Sequence, residues 1–342
     1  MLSLLPFAIL ATTSQSQVHS VVYQGTSGPG KGKHIVFLTG DEEYRSEEGL
    51  PQLARILAFR HGFKCTVLFS IGKNGDINPE AKDNEPGIGA LDSADLCVML
   101  LRFREWPDAQ MKHFVDFYLS GKPFIALRTS THAFNYSPDS TSPYRKFSWD
   151  SKEWPGGFGK QVLGETWISH WGNHGSQGTR SIVEPSNESH VILKGVGQIF
   201  GTTDVYEAAP PPDSTILLRG QVVAGMTTAA IKAVGQKKTS LGKDQDINEP
   251  MMPIVWLRNY RNESGKTNRI LTSTIGAATD LLDENLRRLF VNGAYWATGL
   301  EKRMPNKANV EFVGTYEPSN FGFGRYRKGL NPSDLKWPPS NL

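Results

Sequence analysis

Four short apolar runs separated by helical patterns constrain this chain most. His34 to Thr39 is apolar and ends at Gly40. Leu50, Leu53, Ala54 and Leu57 then recur at helical spacing, and His61-Gly62 closes that helix. Lys64 to Ser70 is a second strand pattern. Asp95 to Leu101 is a third, after a polar loop from Gly72 to Gly89. Pro107 starts a helix with Met111, Phe114, Val115, Tyr118 and Leu119 on one face, closed by Gly121. Phe124 to Leu127 is the fourth strand. Strands alternating with helices of this length imply parallel βαβ units with helices on both faces. Right-handed crossovers then give a doubly wound sheet. In such a sheet ligands bind beyond the carboxyl ends of the strands. The loops after strands one, three and four should therefore meet at one edge.

The rest of the chain is less regular. Gly156 to Gly164 reads as a short helix. Thr179 to Val183, Asp204 to Glu207, Ile216 to Gln221, Pro253 to Trp256 and Arg269 to Thr274 read as further strands, and residues 223–250 as a polar, irregular surface insertion. Asp283 to Thr298 is an amphipathic helix with Leu286, Leu289, Phe290, Gly293 and Ala297 inward, capped by Thr279 or Asp280. No internal repeat is visible.

The 342 residues suffice for one large domain or two small ones. A hydrophobic fraction of 38% and a charged fraction of 21% are ordinary for a soluble globular protein. The net charge of +3 forms no basic block, so no nucleic-acid partner is indicated. Leu2 to Ala11 is too short to span a membrane as a helix. It is similar to the core of a secretory signal peptide, although no Lys or Arg precedes it. Residues 1–20 are therefore expected to be a signal peptide, and the protein to be exported, periplasmic or extracellular. Residues 21–32 read as a linker, 33–300 as the α/β domain, and 301–342 as an extended tail lying over it. The two cysteines, Cys65 and Cys97, sit on strands two and three. In a 2-1-3-4 strand order these flank strand one, roughly 9–10 Å apart. A disulfide needs Cα atoms within about 7 Å, so two free buried thiols are expected.

The chemistry-bearing residues follow the strands. After the first come Asp41, Glu42, Glu43, Tyr44 and Arg45. Acids here bind sugar hydroxyls or act as acid or base; the alternative is favourable charge in the next helix's first turn. After the third come Arg102, Arg104 and Glu105, either an oxygen-binding arginine site or a surface ion pair of little value. After the fourth come Arg128, Thr129, Ser130 and His132. Arg128 stays protonated and suits an oxyanion. His132 suits general acid/base work near neutrality, unless a backbone carbonyl satisfies it. Glu165, Trp167, His170 and His174 form a second dense segment. On a helix, histidines four apart share a face and can bind a metal. The intervening Trp171-Gly172-Asn173 is poor helix sequence and no Glu follows His170, so no metal is assigned. Tryptophans among polar groups also suit a sugar ring; the alternative is a structural hydrogen-bonded loop.

Together these segments resemble the ThuA-like (trehalose utilisation) family over roughly residues 33–300. The resemblance lies in the Thr39–Arg45 loop, Leu101 to Glu105, Gly121 to Phe134, Gly164-Glu-Thr-Trp167, Ser273 to Asp280, and Asn292 to Ala297. The tail from Val310 to Gly324 is similar to that of an exported subgroup common in planctomycete-type bacteria. The resemblance implies a flavodoxin-like, class I glutamine amidotransferase-like fold: a doubly wound, mostly parallel sheet with helices on both faces. It also implies a role in carbohydrate catabolism, paired with a sugar dehydrogenase. Arg128 falls where amidotransferases carry their catalytic Cys, which excludes glutamine hydrolysis by that route. Other branches often have Gly-His at Gly276-Ala277, so a role for that His is absent here.

The expectation is an exported enzyme acting on a sugar, keto-sugar or glycoside by acid/base chemistry. Arg128, His132, Glu165 and His170 are its expected catalytic residues. Asp41, Glu42, Tyr44, Arg104, Glu105, Thr129, Ser130, Trp167 and His174 are expected to bind a small carbohydrate, with no metal or other cofactor. The alternative is a non-catalytic carbohydrate-binding or complex-forming protein.

Overall fold

The computed structural model describes residues 19–338, so nearly all of the expected signal peptide lies outside the described residues. The elements run β1 (Ser20–Gln24), β2 (His34–Gly40), α1 (Ser46–His61), β3 (Lys64–Leu68), β4 (Leu96–Leu101), α2 (Asp108–Leu119) and β5 (Phe124–Leu127). β6 (Thr179–Val183), β7 (Phe200–Gly201), β8 (Thr215–Val222), β9 (Gln236–Lys238) and β10 (Asp244–Asp246) follow. β11 (Met252–Arg261), β12 (Thr267–Ser273) and α3 (Glu284–Ala297) complete the order.

One ten-stranded sheet holds the molecule, in the order β1-β3-β2-β4-β5-β12-β11-β8-β6-β7. Its centre, β3-β2-β4-β5-β12, is parallel. The first four of these strands have the expected 2-1-3-4 order. Both flanks are antiparallel: β1 on β3, and the run β12-β11-β8-β6-β7. The sheet is therefore mixed. The helical crossovers stop at β5, and no α-helix lies between β6 and β12.

β2 shows why the parallel centre forms. All seven of its residues are buried, as a strand covered on both faces requires. Ile35 and Phe37 join the cluster containing Leu50, Leu53 and Leu57 of α1 and Leu286, Leu289 and Phe290 of α3. Val36 and Leu38 join the cluster containing Met111, Phe114 and Tyr118 of α2. Strand alternation thus sends successive side chains to opposite layers. Cys65 and Cys97 are free and buried. They belong to opposite clusters, so they face away from each other across the sheet.

Four sequence expectations need correction. The expected linker begins with strand β1, and Gly25 and Gly30 then donate to Phe63 and His61 carbonyls at 3.0 and 2.8 Å. A Cβ on Gly62 would meet the Ser27 carbonyl at 2.5 Å, so this segment is docked on the end of α1. Asp204 to Glu207 is not a strand; only Tyr206 makes an isolated bridge, to His170. Residues 223–250 carry the hairpin β9-β10. The α3 cap is Asp283, which accepts from the Asn285 and Leu286 amides. Asp280 instead accepts from the Gly276 and Ala277 amides and from Thr202 and Thr203.

The tail lies over the domain. Tyr23 donates to the Leu335 carbonyl at 2.7 Å, Arg287 to Val310 at 2.9 Å and Tyr316 to Ala278 at 2.6 Å. No helix among the described residues is long and apolar enough to cross a membrane.

Candidate functional site

The loops leaving β2, β4, β5 and β12 are stitched together, and the stitching consumes several expected ligand residues. Asp41 accepts from the Glu43 and Tyr44 amides and from the Thr129 hydroxyl. Ser130 donates to the Met99 carbonyl at 2.9 Å and accepts from the Leu101 amide at 3.2 Å. Asp41, Thr129 and Ser130 therefore join strand ends rather than face a ligand. Glu42 pairs with Arg102 and, at 3.1 Å, with buried Arg104. Arg104 also donates to the carbonyls of Arg102, Pro79 and Ala81. Both oxygens of Glu105 are held by Ser137, through its amide and its hydroxyl. Arg104 and Glu105 are thus loop fasteners, because each of their polar groups already has a partner.

Arg128 follows β5 with φ 43°, a left-handed backbone that a non-glycine residue rarely adopts. Its side chain is fully buried between the rings of Tyr44 and Tyr206, at 4.6 and 3.9 Å. Nη1 donates to the carbonyls of Asp204 (2.6 Å) and Thr274 (2.8 Å). Nη2 donates to Asp204 Oδ1 (2.8 Å) and the Tyr44 hydroxyl (3.1 Å). All four terminal N–H groups are spent, so Arg128 does not hold a substrate oxygen; it fixes Asp204.

Asp204 is the hub. His170 Nδ1 lies 2.8 Å from its Oδ2 and His174 Nδ1 3.1 Å from its Oδ1. Burial favours the neutral acid, but the Arg128 charge and the two imidazole contacts hold Asp204 well below the usual carboxylate range. His174 Nε2 lies 3.2 Å from Glu43 Oε1. The Asp204 hydrogen bond pushes the His174 pKa up against burial, and the Asp204 and Glu43 charges add to it. Residues 165–174 form no helix. The histidines meet Asp204 because Trp171 and Gly172 donate to the Val205 carbonyl, and Lys237 donates to the His170 and Trp171 carbonyls. One ligand atom from each of His170, His174 and Asp204 lies within 4.8 Å of the others.

Beside this hub stands His132. Its Nδ1 lies 3.2 Å from Thr131 Oγ1, and its Nε2 has no partner among the described residues. Burial, then the charges of Arg102, Arg128 and His170, pull its pKa well below the ordinary value. Its titration is therefore displaced from neutrality, and the imidazole is neutral at pH 7. Phe103, Trp167 and Tyr206 stand around it with ring centroids 5.0, 5.8 and 6.5 Å away, and Trp149 lies 5.7 Å from Phe103. Phe103, Trp149 and Trp167 are half-buried, so they make an aromatic rim with one accessible edge.

Glu165 is elsewhere in role. Its Oε1 accepts from Lys160 Nζ (2.7 Å) and the Thr166 amide (3.0 Å), and its Oε2 from the Ala209 amide (2.8 Å). A carboxylate so occupied clamps two loops and is not a free base. Conversely, Asp204, Tyr206, Phe103, Trp149 and Phe321 were missed by the sequence reading. Phe321 of the tail packs 5.5 Å from both the Tyr44 and His174 rings. The polar-apolar alternation of Asp204-Val-Tyr-Glu207 suited a strand and concealed the hub.

Solved structures of two bacterial proteins named as ThuA-like are similar to this chain. The one from Bacteroides uniformis ATCC 8492 is 16% identical, covers 80% of this chain and 93% of its own, and has a TM-score of 0.48. The one from Parabacteroides merdae ATCC 43184 is 15% identical over 78% of this chain and 90% of its own, with a TM-score of 0.47. Both carry the name of the family that the sequence motifs resemble. No family model and no curated protein matches the chain.

Proposed function

We propose that this chain is an exported ThuA-like protein that binds a sugar or keto-sugar under the aromatic rim and acts on it by acid/base chemistry. On this reading the β3-β2-β4-β5 centre is a flavodoxin-like core extended by an antiparallel flank. The observation that carries the proposal is His132: a neutral imidazole with Nε2 free, set among half-buried aromatic rings. Aromatic faces suit the apolar face of a sugar ring. A keto group acidifies the neighbouring C–H, and a neutral imidazole is the form that accepts that proton. Half-exposed His170, oriented by Asp204, is the group proposed to meet the carbonyl oxygen. Arg128 acts behind it as a positioning residue. A sugar dehydrogenase is the class of enzyme that would supply such a keto-sugar.

Thermal shift of the purified, chelator-treated protein tests this against glucose-type disaccharides and their keto derivatives. A ligand at 100 times its Kd stabilises by about 2.7 kcal/mol. The expected result is a keto-sugar shift that is lost in His132→Gln and Trp167→Ala. No shift with any sugar would refute the proposal.

A second reading, carbohydrate binding without turnover, is favoured by one observation: Arg128 and Glu165, two expected catalytic groups, are locked by internal partners. Exchange of the C–H beside the keto group in heavy water separates the two. Exchange lost in His132→Gln supports the enzyme; a bound sugar without exchange supports the binding module.

A further inference from the structure

The hub also has the make-up of a metal centre. We propose that His170, His174 and Asp204 bind one divalent transition-metal cation of the zinc type, through the two Nδ1 atoms and the Asp204 carboxylate. The inference stands on geometry and ligand chemistry, independently of the sugar reading.

Two imidazoles and a carboxylate are a borderline donor set that prefers zinc and its neighbours to magnesium or calcium. With metal–ligand bonds of about 2.0–2.2 Å in a tetrahedral site, adjacent ligand atoms stand about 3.3–3.6 Å apart. The Nδ1–carboxylate separations here are 2.8 and 3.1 Å, each to a different oxygen of Asp204, and one ligand atom from each residue lies within 4.8 Å of the others, so the three groups converge on one point and side-chain adjustment brings them to coordination distance. The surroundings are built as an outer shell. Glu43 Oε1 faces His174 Nε2 at 3.2 Å, the position from which a carboxylate orients a metal-bound imidazole. Arg128 Nη2 anchors Asp204 Oδ1 at 2.8 Å. Trp171 and Gly172 fix the backbone between the histidines on the Val205 carbonyl. The charges in direct contact with the two histidines are the carboxylates of Asp204 and Glu43. The two histidines keep about a third of their side-chain surface exposed. An ion can therefore enter, and coordination positions remain for water or a ligand.

The test uses the full chain, stripped with chelator and titrated with Zn2+ alone and with Co2+ alone. Calorimetry reads the stoichiometry, and visible absorption of the cobalt form reads the coordination. His170→Gln and His174→Gln remove one ligand each at half-exposed positions, and circular dichroism checks that each variant is folded. His113→Gln, an exposed histidine bound to Asp92, is the control. Saturable binding of one equivalent, weakened at least tenfold in both ligand variants and unchanged in the control, is the expected result. Absence of saturable binding, or undiminished affinity in either ligand variant, would overturn the proposal. Because the sugar-dependent shift is read on chelated protein, the two proposals fail separately.

Discussion

Arg128 and Asp204, 76 residues apart in the chain, form a buried ion pair with Nη2 to Oδ1 at 2.8 Å and no exposed side-chain surface on either partner. This pair decides what the site is. It converts the expected oxyanion-holding arginine into the anchor of the residue that organises both histidines.

Arg128→Met is therefore expected to damage the fold as well as the site. It leaves the Asp204 carboxylate buried without its main counter-charge, and the Asp204 and Thr274 carbonyls without a donor. Breaking a buried pair from one side costs about 3–5 kcal/mol. Urea denaturation should show a loss of that order. A midpoint equal to that of the parent would mean that Asp204 does not depend on Arg128.

Much of the fold was legible because it is local. The apolar runs of β2, β3, β4 and β5 and the periodicity of α1, α2 and α3 are carried by neighbouring residues. β1 was not legible: Ser20 to Gln24 is short, borders a Gly- and Ser-rich stretch, and gains its meaning only by pairing with β3. The site was half legible for the same reason. Polar residues directly after a buried strand pointed to His132, and the dense polar and aromatic run from Glu165 to His174 pointed to the two histidines. Their roles depend on Asp204, Glu43 and Arg128, whose contacts span long separations that no local pattern encodes. Phe321 was hidden in a tail read only by composition.

Glu85 gives a pH-dependent stability prediction. It is fully buried, and burial pushes its pKa from 4.5 up to about 8, with the Ser70 hydrogen bond and the Arg104 charge opposing. Its Oε1 has no partner among the described residues. Below about pH 4.5 both folded and unfolded chains are protonated, and there is no penalty. Between about 4.5 and 8 the unfolded chain releases its proton and the folded chain keeps it, so stability falls as pH rises. Glu85→Gln does not ionise in either state. Its advantage over the parent should grow from pH 5 to pH 8.5, on the order of 3–4 kcal/mol. A difference that stays constant across that range would show that Glu85 ionises normally in the folded protein.

Phe321 holds the tail onto the site. It packs on Tyr44 and His174, while Gly322 donates to the Glu43 carbonyl at 2.8 Å and Arg45 donates to the Gly322 carbonyl. Aromatic pairs contribute about 0.5–1.5 kcal/mol beyond their area. Phe321→Ala should loosen the strap without unfolding the domain. Arg325, Arg327 and Lys328 are exposed just beyond it, so trypsin provides the readout. Cleavage at these residues should accelerate severalfold while the rest of the chain stays intact. An unchanged rate would show that the other tail contacts suffice.

Asp280 and Asp283 look interchangeable in sequence, yet the structure gives them unequal work. Asp283 caps α3 through two amides and also accepts from the Phe200 amide at 3.1 Å, and losing such a cap costs about 1 kcal/mol. Asp280 is buried and accepts from the Gly276, Ala277 and Thr202 amides and the Thr202 and Thr203 hydroxyls, at 2.7–3.0 Å. It thereby ties the loop after β12, whose Thr274 carbonyl receives Arg128, to the segment leading into Asp204. Each buried donor left without a partner costs about 1–3 kcal/mol. Asp280→Ala should therefore destabilise at least twice as much as Asp283→Ala in urea unfolding, and should also weaken ligand binding at the hub. Equal losses would reduce Asp280 to a second helix cap and detach it from the site.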